Sequence, residues 1–178
     1  QIREMPHHFS KLKVENILFD SGLTYTILQP TAYMQNLLTY LPTIKDEGVL
    51  RVPYPADTRL SLVDLQDVAA VAAKVLTEPG HEFATYELSG TMPMSQTAVA
   101  DNFSQILQRP VEVRPIPIEQ WVSQAKAKGT NEATIETAAR MFSYYAKSSM
   151  ESNPQQLRFL LGHDPASLTD FIKRMASG

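Results

Sequence analysis

Apolar residues recur along this chain at helical spacing in some stretches and as short continuous runs in others, and the alternation of the two patterns orders it into elements. Val14, Ile17 and Leu18 predict a helix from Phe9 to Asp20 with that face turned inward, stopped by Ser21-Gly22. Leu23 to Leu28 is rich in β-formers without polar alternation, the pattern of a strand covered on both faces, and Pro30 ends it. Helix, glycine and buried strand in that order form the closing part of a β-α-β crossover, so a parallel sheet is implied.

A helix is expected from Tyr33 to Ile44, then a turn at Glu47-Gly48, a short extended piece from Val49 to Val52, and a loop through Pro53, Pro55 and Asp57. Asp64 stands before a helix from Leu65 to Leu76, whose expected apolar face is Val68, Ala72, Val75 and Leu76 and whose stop is Pro79-Gly80. Phe83 to Leu88 reads as a strand turning at Ser89-Gly90. Ser95 starts a helix with Val99, Phe103, Ile106 and Leu107 facing inward, and Pro110 to Val113 is a short alternating strand. Three further amphipathic helices cover Pro117 to Lys126, Glu132 to Tyr145 and Ser167 to Met175. The balance shifts at Gly90 from mixed α/β to mainly helical. This places a domain boundary there, with residues 1–90 on one side and 91–178 on the other.

Composition narrows the function classes. The chain has 178 residues, 43% hydrophobic and 20% charged, which is that of an ordinary globular protein. A net charge of -3 provides no positive field for a nucleic-acid backbone. Its densest basic stretch, Lys126 and Lys128 near Arg140, is diluted by Glu132 and Glu136. No cysteine occurs, which removes disulfides, thiol chemistry and thiolate metal sites. No apolar run reaches membrane-spanning length, and Gln1 to Pro6 carry no targeting pattern, so a cytoplasmic location is expected. The seven glycines are spaced too far apart to write G-x-G-x-x-G or a P-loop anywhere. A phosphate grip of either kind is therefore expected to lie outside these residues.

Several segments in order carry a family resemblance: His7 to Leu38, Arg59 to Leu76, Phe83 to Gly90 and Leu157 to Ile172. Together they resemble the NmrA-like branch of the atypical short-chain dehydrogenase/reductase superfamily. The resemblance implies an α/β fold: the C-terminal part of a Rossmann-type parallel-sheet domain, with a smaller, mainly helical substrate-side domain and a ligand cleft between them. It also implies NADP or NAD as cofactor of the complete protein. Two activities follow: an NAD(P)H-dependent reductase of a small quinone or carbonyl compound, or a non-catalytic redox sensor or regulatory protein. By the same resemblance the family's first strands and glycine-rich turn are absent, through truncation or because the chain is a fragment. The chain alone is then expected to hold no dinucleotide tightly and to turn over no substrate. A small molecule is its expected ligand, with no nucleic acid or membrane. Either a second copy or a partner chain supplying the missing half is expected to cover the exposed flank.

In the wider superfamily a tyrosine and a lysine four residues later share a helix face, and His7 and Lys11 occupy that spacing here. His7 is thus a candidate proton donor, or an ordinary helix-start residue; Lys11 is a candidate ribose contact and polarising cation, or half of a surface pair with Glu15. Ligands in open α/β sheets lie at the C-terminal ends of the strands. By resemblance, Pro30, Thr31 and Ala32 lie against the nicotinamide, while Tyr33, Met34 and Asn36 look toward substrate; the alternative is a strand stop with core side chains. Trp121 is a further candidate substrate contact. Asp64 and Asp67 at i,i+3 without a histidine make a poor metal site, and Asp64 is better placed as a helix N-cap.

Overall fold

A computed structural model describes residues 4–176. Helix α1 spans Pro6–Asp20 and feeds strand β1, Thr26–Pro30, which pairs in parallel with β6, Ala84–Leu88, from Thr26 beside Ala84 to Pro30 beside Leu88. The Thr31 N–H donates to the Leu88 carbonyl at 3.0 Å, and the chain then switches partner. Strand β2, Ala32–Tyr33, pairs in parallel with β5, Leu62–Val63. The expected parallel sheet is therefore present.

The expected helix from Tyr33 to Ile44 divides into a 3-10 helix, Met34–Tyr40, and α2, Leu41–Glu47. Gly48 ends α2 in the left-handed region at φ 68°, where its N–H reaches the Ile44 carbonyl. Strand β3, Val49–Val52, then pairs in parallel with β8, Glu112–Pro115. A short β4, Arg59–Leu60, pairs antiparallel with β7, Met94–Ser95. Helix α3, Leu65–Thr77, is capped by the Asp64 side chain, which accepts from the Gln66 N–H. Helix α4, Gln96–Leu107, is capped in the same way by Ser95. Both caps satisfy backbone donors that a helix start leaves unpaired.

The remaining helices are α5 (Ile118–Ala127), α6 (Glu132–Lys147), α7 (Gln155–Leu161) and α8 (Leu168–Ala176). Two apolar clusters hold the molecule. The larger joins Met34, Ile44, Leu50 and Val52 to Phe103, Phe142, Phe171 and Ile172, so it draws on chain from both sides of Gly90. The smaller joins Val63, Val71 and Leu88 to Leu157 and Leu160, where α7 packs on β6 and α3.

One expected face is corrected, and a second in part. In α1, Val14 and Ile17 are 63% and 71% exposed, and no residue of the helix is buried. In α3 the buried apolar position is Val71, and Leu76 points outward at 84% exposure. Val68 and Val75 of α3 do pack against the smaller cluster, so on that helix only Leu76 departs from the expected face; periodicity marks an apolar face but not what covers it.

Candidate functional site

Two contacts fix how α1 lies on β1. The Phe19 ring stacks against Tyr25 with centroids 5.3 Å apart, and the Gln29 amide donates to the Glu15 carboxylate at 2.9 Å. Stepping back one turn along the helix, from Phe19 to Glu15, thus moves forward along the strand, from Tyr25 to Gln29. The two elements run antiparallel. One more turn, about 5.4 Å of helix rise, sets Lys11 beyond Gln29 toward the strand's C-terminal end, and His7 lies a further turn on. The half-buried segment from Pro30 to Tyr33 continues β1 at that end.

His7, Ser10, Lys11 and Val14 follow one another at i, i+3, i+4 and i+7, so they share a helix face. With Pro6 and with Thr137 of α6 they line an open groove of about 510 Å³. The His7 and His8 rings meet edge to face at 4.5 Å. Nδ1 of His7 is shut off from solvent and has no hydrogen-bond partner among the described residues. Burial, and after it the Lys11 ammonium, hold the His7 imidazole below its ordinary value. Burial does the same to His8, helped by His7 and Lys11. Both rings are therefore mainly neutral at pH 7.

The segment after β1 offers a wall and few donors. Pro30 has no N–H, and the Thr31 N–H and hydroxyl both go to the Leu88 carbonyl, at 3.0 and 3.3 Å. Tyr33 is half-buried against the smaller apolar cluster, and Asn36 is exposed. Met34 is corrected: it has no exposed surface and belongs to the larger core, so it does not face a ligand. A 3-10 helix repeats every three residues, which puts Met34 and Leu37 on one buried side. Trp121 is not among the groove's lining residues; its indole packs edge-on against Phe142 at 4.8 Å.

Asp64 serves structure. Its carboxylate is fully buried and accepts from the Gln66 N–H at 3.0 Å, the Gln35 amide at 2.8 Å and the Arg174 guanidinium of α8. Burial pushes its pKa up, but these partners outweigh that and hold it below the ordinary value. Asp67 goes the other way: burial raises its carboxyl, opposed by the Ala166 N–H at 2.8 Å and reinforced by Asp64.

Sequence spacing brings His7 and Lys11 together, and the structure adds two residues that reasoning from the sequence missed. Ser10 lay within reach of the same i, i+3 rule. Thr137 did not, because nothing in its own segment signals that α6 passes beside α1.

Parallel strands flanked by helices, with polar side chains gathered beyond the C-terminal end of β1, define a Rossmann-like α/β protein. The chain belongs to the NmrA-like family, whose model matches residues 1–169. NAD(P)H azoreductase of Xenophilus azovorans is 28% identical over 158 residues, 89% of this chain and 55% of that protein. The (4-alkanoyl-5-oxo-2,5-dihydrofuran-3-yl)methyl phosphate reductase of Streptomyces griseus is 32% identical over 146 residues, 80% of this chain and 51% of that protein. A solved structure of an NADPH-dependent quinone oxidoreductase from Escherichia coli, complexed with NADPH, matches with a TM-score of 0.82 at 25% identity, covering 93% of this chain and 58% of that one. The chain spans about half the length of the curated relatives it matches.

The residues present fit one end of a dinucleotide. Lys11 supplies a donor of the kind a ribose hydroxyl takes, and the His7 nitrogen with no partner among the described residues stands on the same helix face; Pro30, Thr31 and Ala32 are not among the residues lining their groove. For the pyrophosphate, no glycine-rich turn can be written in the sequence. No helix among the described residues is long and apolar enough to cross a membrane.

Proposed function

We propose that the complete protein is an NAD(P)H-dependent reductase of a small quinone or carbonyl compound, with its reacting centre beside α1. The observation that carries this reading is the alignment of Lys11 and His7 beyond the C-terminal end of β1. The relatives' names agree with it. When bound, the cofactor supplies a hydride. Lys11 holds the ribose and polarises the acceptor oxygen; Pro30, Thr31 and Ala32 form the wall behind the nicotinamide; Tyr33 and Asn36 face the substrate. His7 gives the proton that the reduced oxygen takes up, and neutral imidazole must first gain one. Turnover therefore rises as pH falls through the depressed His7 value, and flattens below it.

Residues 1–90 form the nucleotide side and 91–178 the substrate side in this proposal, with α2 and β3 packed into the second body. The protein acts as a soluble cytoplasmic enzyme, and the 178-residue chain alone binds dinucleotide weakly, because Lys11 cannot replace the charge-assisted bonds of a pyrophosphate grip. The test is NAD(P)H oxidation by a quinone in the protein with both halves, compared with Lys11→Ala. Unchanged turnover and cofactor affinity would remove Lys11 from the mechanism.

One observation favours a second reading. His7 stands where the superfamily's proton donor is a phenol, and an imidazole delivers its proton from a different position. Dinucleotide binding without turnover of any quinone or carbonyl would make the protein an NAD(P)-binding regulatory protein.

A further inference from the structure

The groove between α1 and α6 has a one-sided chemistry. An ammonium, an imidazole and two hydroxyls line it together with Pro6 and Val14, and no carboxylate among the described residues does, although the chain carries 19 acidic residues against 16 basic ones. Two acids adjacent in sequence to groove residues have partners outside its lining. Glu136 pairs with Arg140 at 2.8 Å, and Glu15 accepts from Gln29 at 2.9 Å. The Ser10 and Thr137 hydroxyls donate to carbonyls one turn back, at 3.0 and 2.8 Å. Such local bonds are exchanged for a ligand by a rotation about χ1. Lys11 carries three donors on one nitrogen, enough to serve a ribose hydroxyl and a second oxygen together.

Resting on the reductase reading, we propose that this groove receives an oxyanion carried by the substrate, a carboxylate or phosphate, with Lys11 and the Ser10 hydroxyl as its donors beside His7, and Thr137 closing it from the substrate side. Val14 and Pro6 bed the adjoining hydrocarbon. The substrate is then a carbonyl or quinone compound that is also an organic acid or phosphate ester, and the groove selects it by charge.

The test uses the 178-residue chain, with inorganic phosphate and benzoate titrated at constant ionic strength while the His7 ring resonances are followed by NMR, assigned through His7→Gln. Both anions should give a saturable shift at His7. Lys11→Met should weaken it by about tenfold, the loss of one charge-assisted hydrogen bond, while Lys11→Arg restores most of it and Thr137→Val lowers affinity less. Native amide spectra of each variant exclude unfolding as the cause. No saturable shift, or one that Lys11→Met leaves unchanged, overturns the proposal. So does nicotinamide mononucleotide displacing phosphate from the groove where nicotinamide riboside does not, since the oxyanion would then belong to the cofactor. The reductase reading fails on a separate result, the absence of NAD(P)H oxidation in the complete protein while anion binding persists.

Discussion

Helices α1 and α8 differ in what they rest on. Nine residues of α8 include Leu168, Phe171 and Ile172, all buried, and Arg174 pairs with buried Asp64. Fifteen residues of α1 include none that is buried, and Val14, Ile17 and Phe19 stand 63%, 71% and 48% exposed. Yet α1 carries His7 and Lys11. The helix with the candidate chemistry is held by a few side-chain contacts, while the helix without it is locked into the larger core. Removing side chains from the two regions should therefore have very different consequences.

The largest effect is expected at the locked end. Phe171 and Phe103 are each 1% exposed within the same cluster. Phe171→Ala should lower unfolding free energy by about 3–5 kcal/mol, through lost burial and the cavity left behind. The urea midpoint measures it, and a loss below 1 kcal/mol would mean that α8 is not the anchor described here.

Next is the buried ion pair. Arg174→Met removes one charged partner of Asp64 but leaves those of Gln66 and Gln35, so a loss of about 1.5–3 kcal/mol is expected at neutral pH. The two aspartates also give the stability profile opposite slopes. The depressed Asp64 value contributes stability above the ordinary 3.8 that disappears as pH falls through the folded value. The raised Asp67 value contributes stability below 3.8 that disappears as pH rises through its folded value. Melting temperatures between pH 3 and about 6 should show Asp67→Asn gaining on the wild type as pH rises past 3.8, and wild type losing its advantage over Asp64→Asn as pH falls below it. Parallel profiles for all three proteins would contradict both assignments.

These contacts show how far the sequence could be read. Asp64 and Ser95 were legible as caps because a cap is a local hydrogen bond written within three residues, and the parallel β1 was legible from its unbroken apolar run. Helix α7 was not, since its seven residues between Pro154 and Gly162 are too few to display a period. The β3–β8 pairing joins residues more than 60 positions apart in the chain, and it puts Leu50 beside Val113; such pairing leaves no mark in either segment. The same limit hid Thr137, whose role depends on where α6 crosses α1. His7 and Lys11 were visible only as a spacing, and the contacts of Glu15 and Phe19 were needed to set them at the end of β1.

A smaller effect is expected at Gly48, which ends α2 before β3. Its φ of 68° suits glycine, and a Cβ there would stand 2.9 Å from the Pro110 carbonyl. Gly48→Ala should cost about 1–2 kcal/mol for the left-handed backbone, with further loss if β8 shifts away. A thermal midpoint unchanged within error would show that this turn relaxes freely.

The smallest effect is expected on the outer face of α1. Ile17 is 71% exposed, so Ile17→Ser removes little buried surface, and unfolding free energy should stay within about 0.5 kcal/mol of the wild type. Serine and the β-branched isoleucine have nearly the same helix propensity, so the exchange itself changes helix stability little. Association should respond more than stability, because Ile17 leaves apolar surface on the outer face open to another molecule. Sedimentation of wild type and Ile17→Ser over a concentration series separates the two consequences. Equal stability with less self-association in the variant fits a face open in the monomer and covered by a second copy. A loss of 1 kcal/mol or more that depends on protein concentration would mean that the face is packed in the folded state in solution, so that α1 owes its stability to an interface as α8 owes its own to the core.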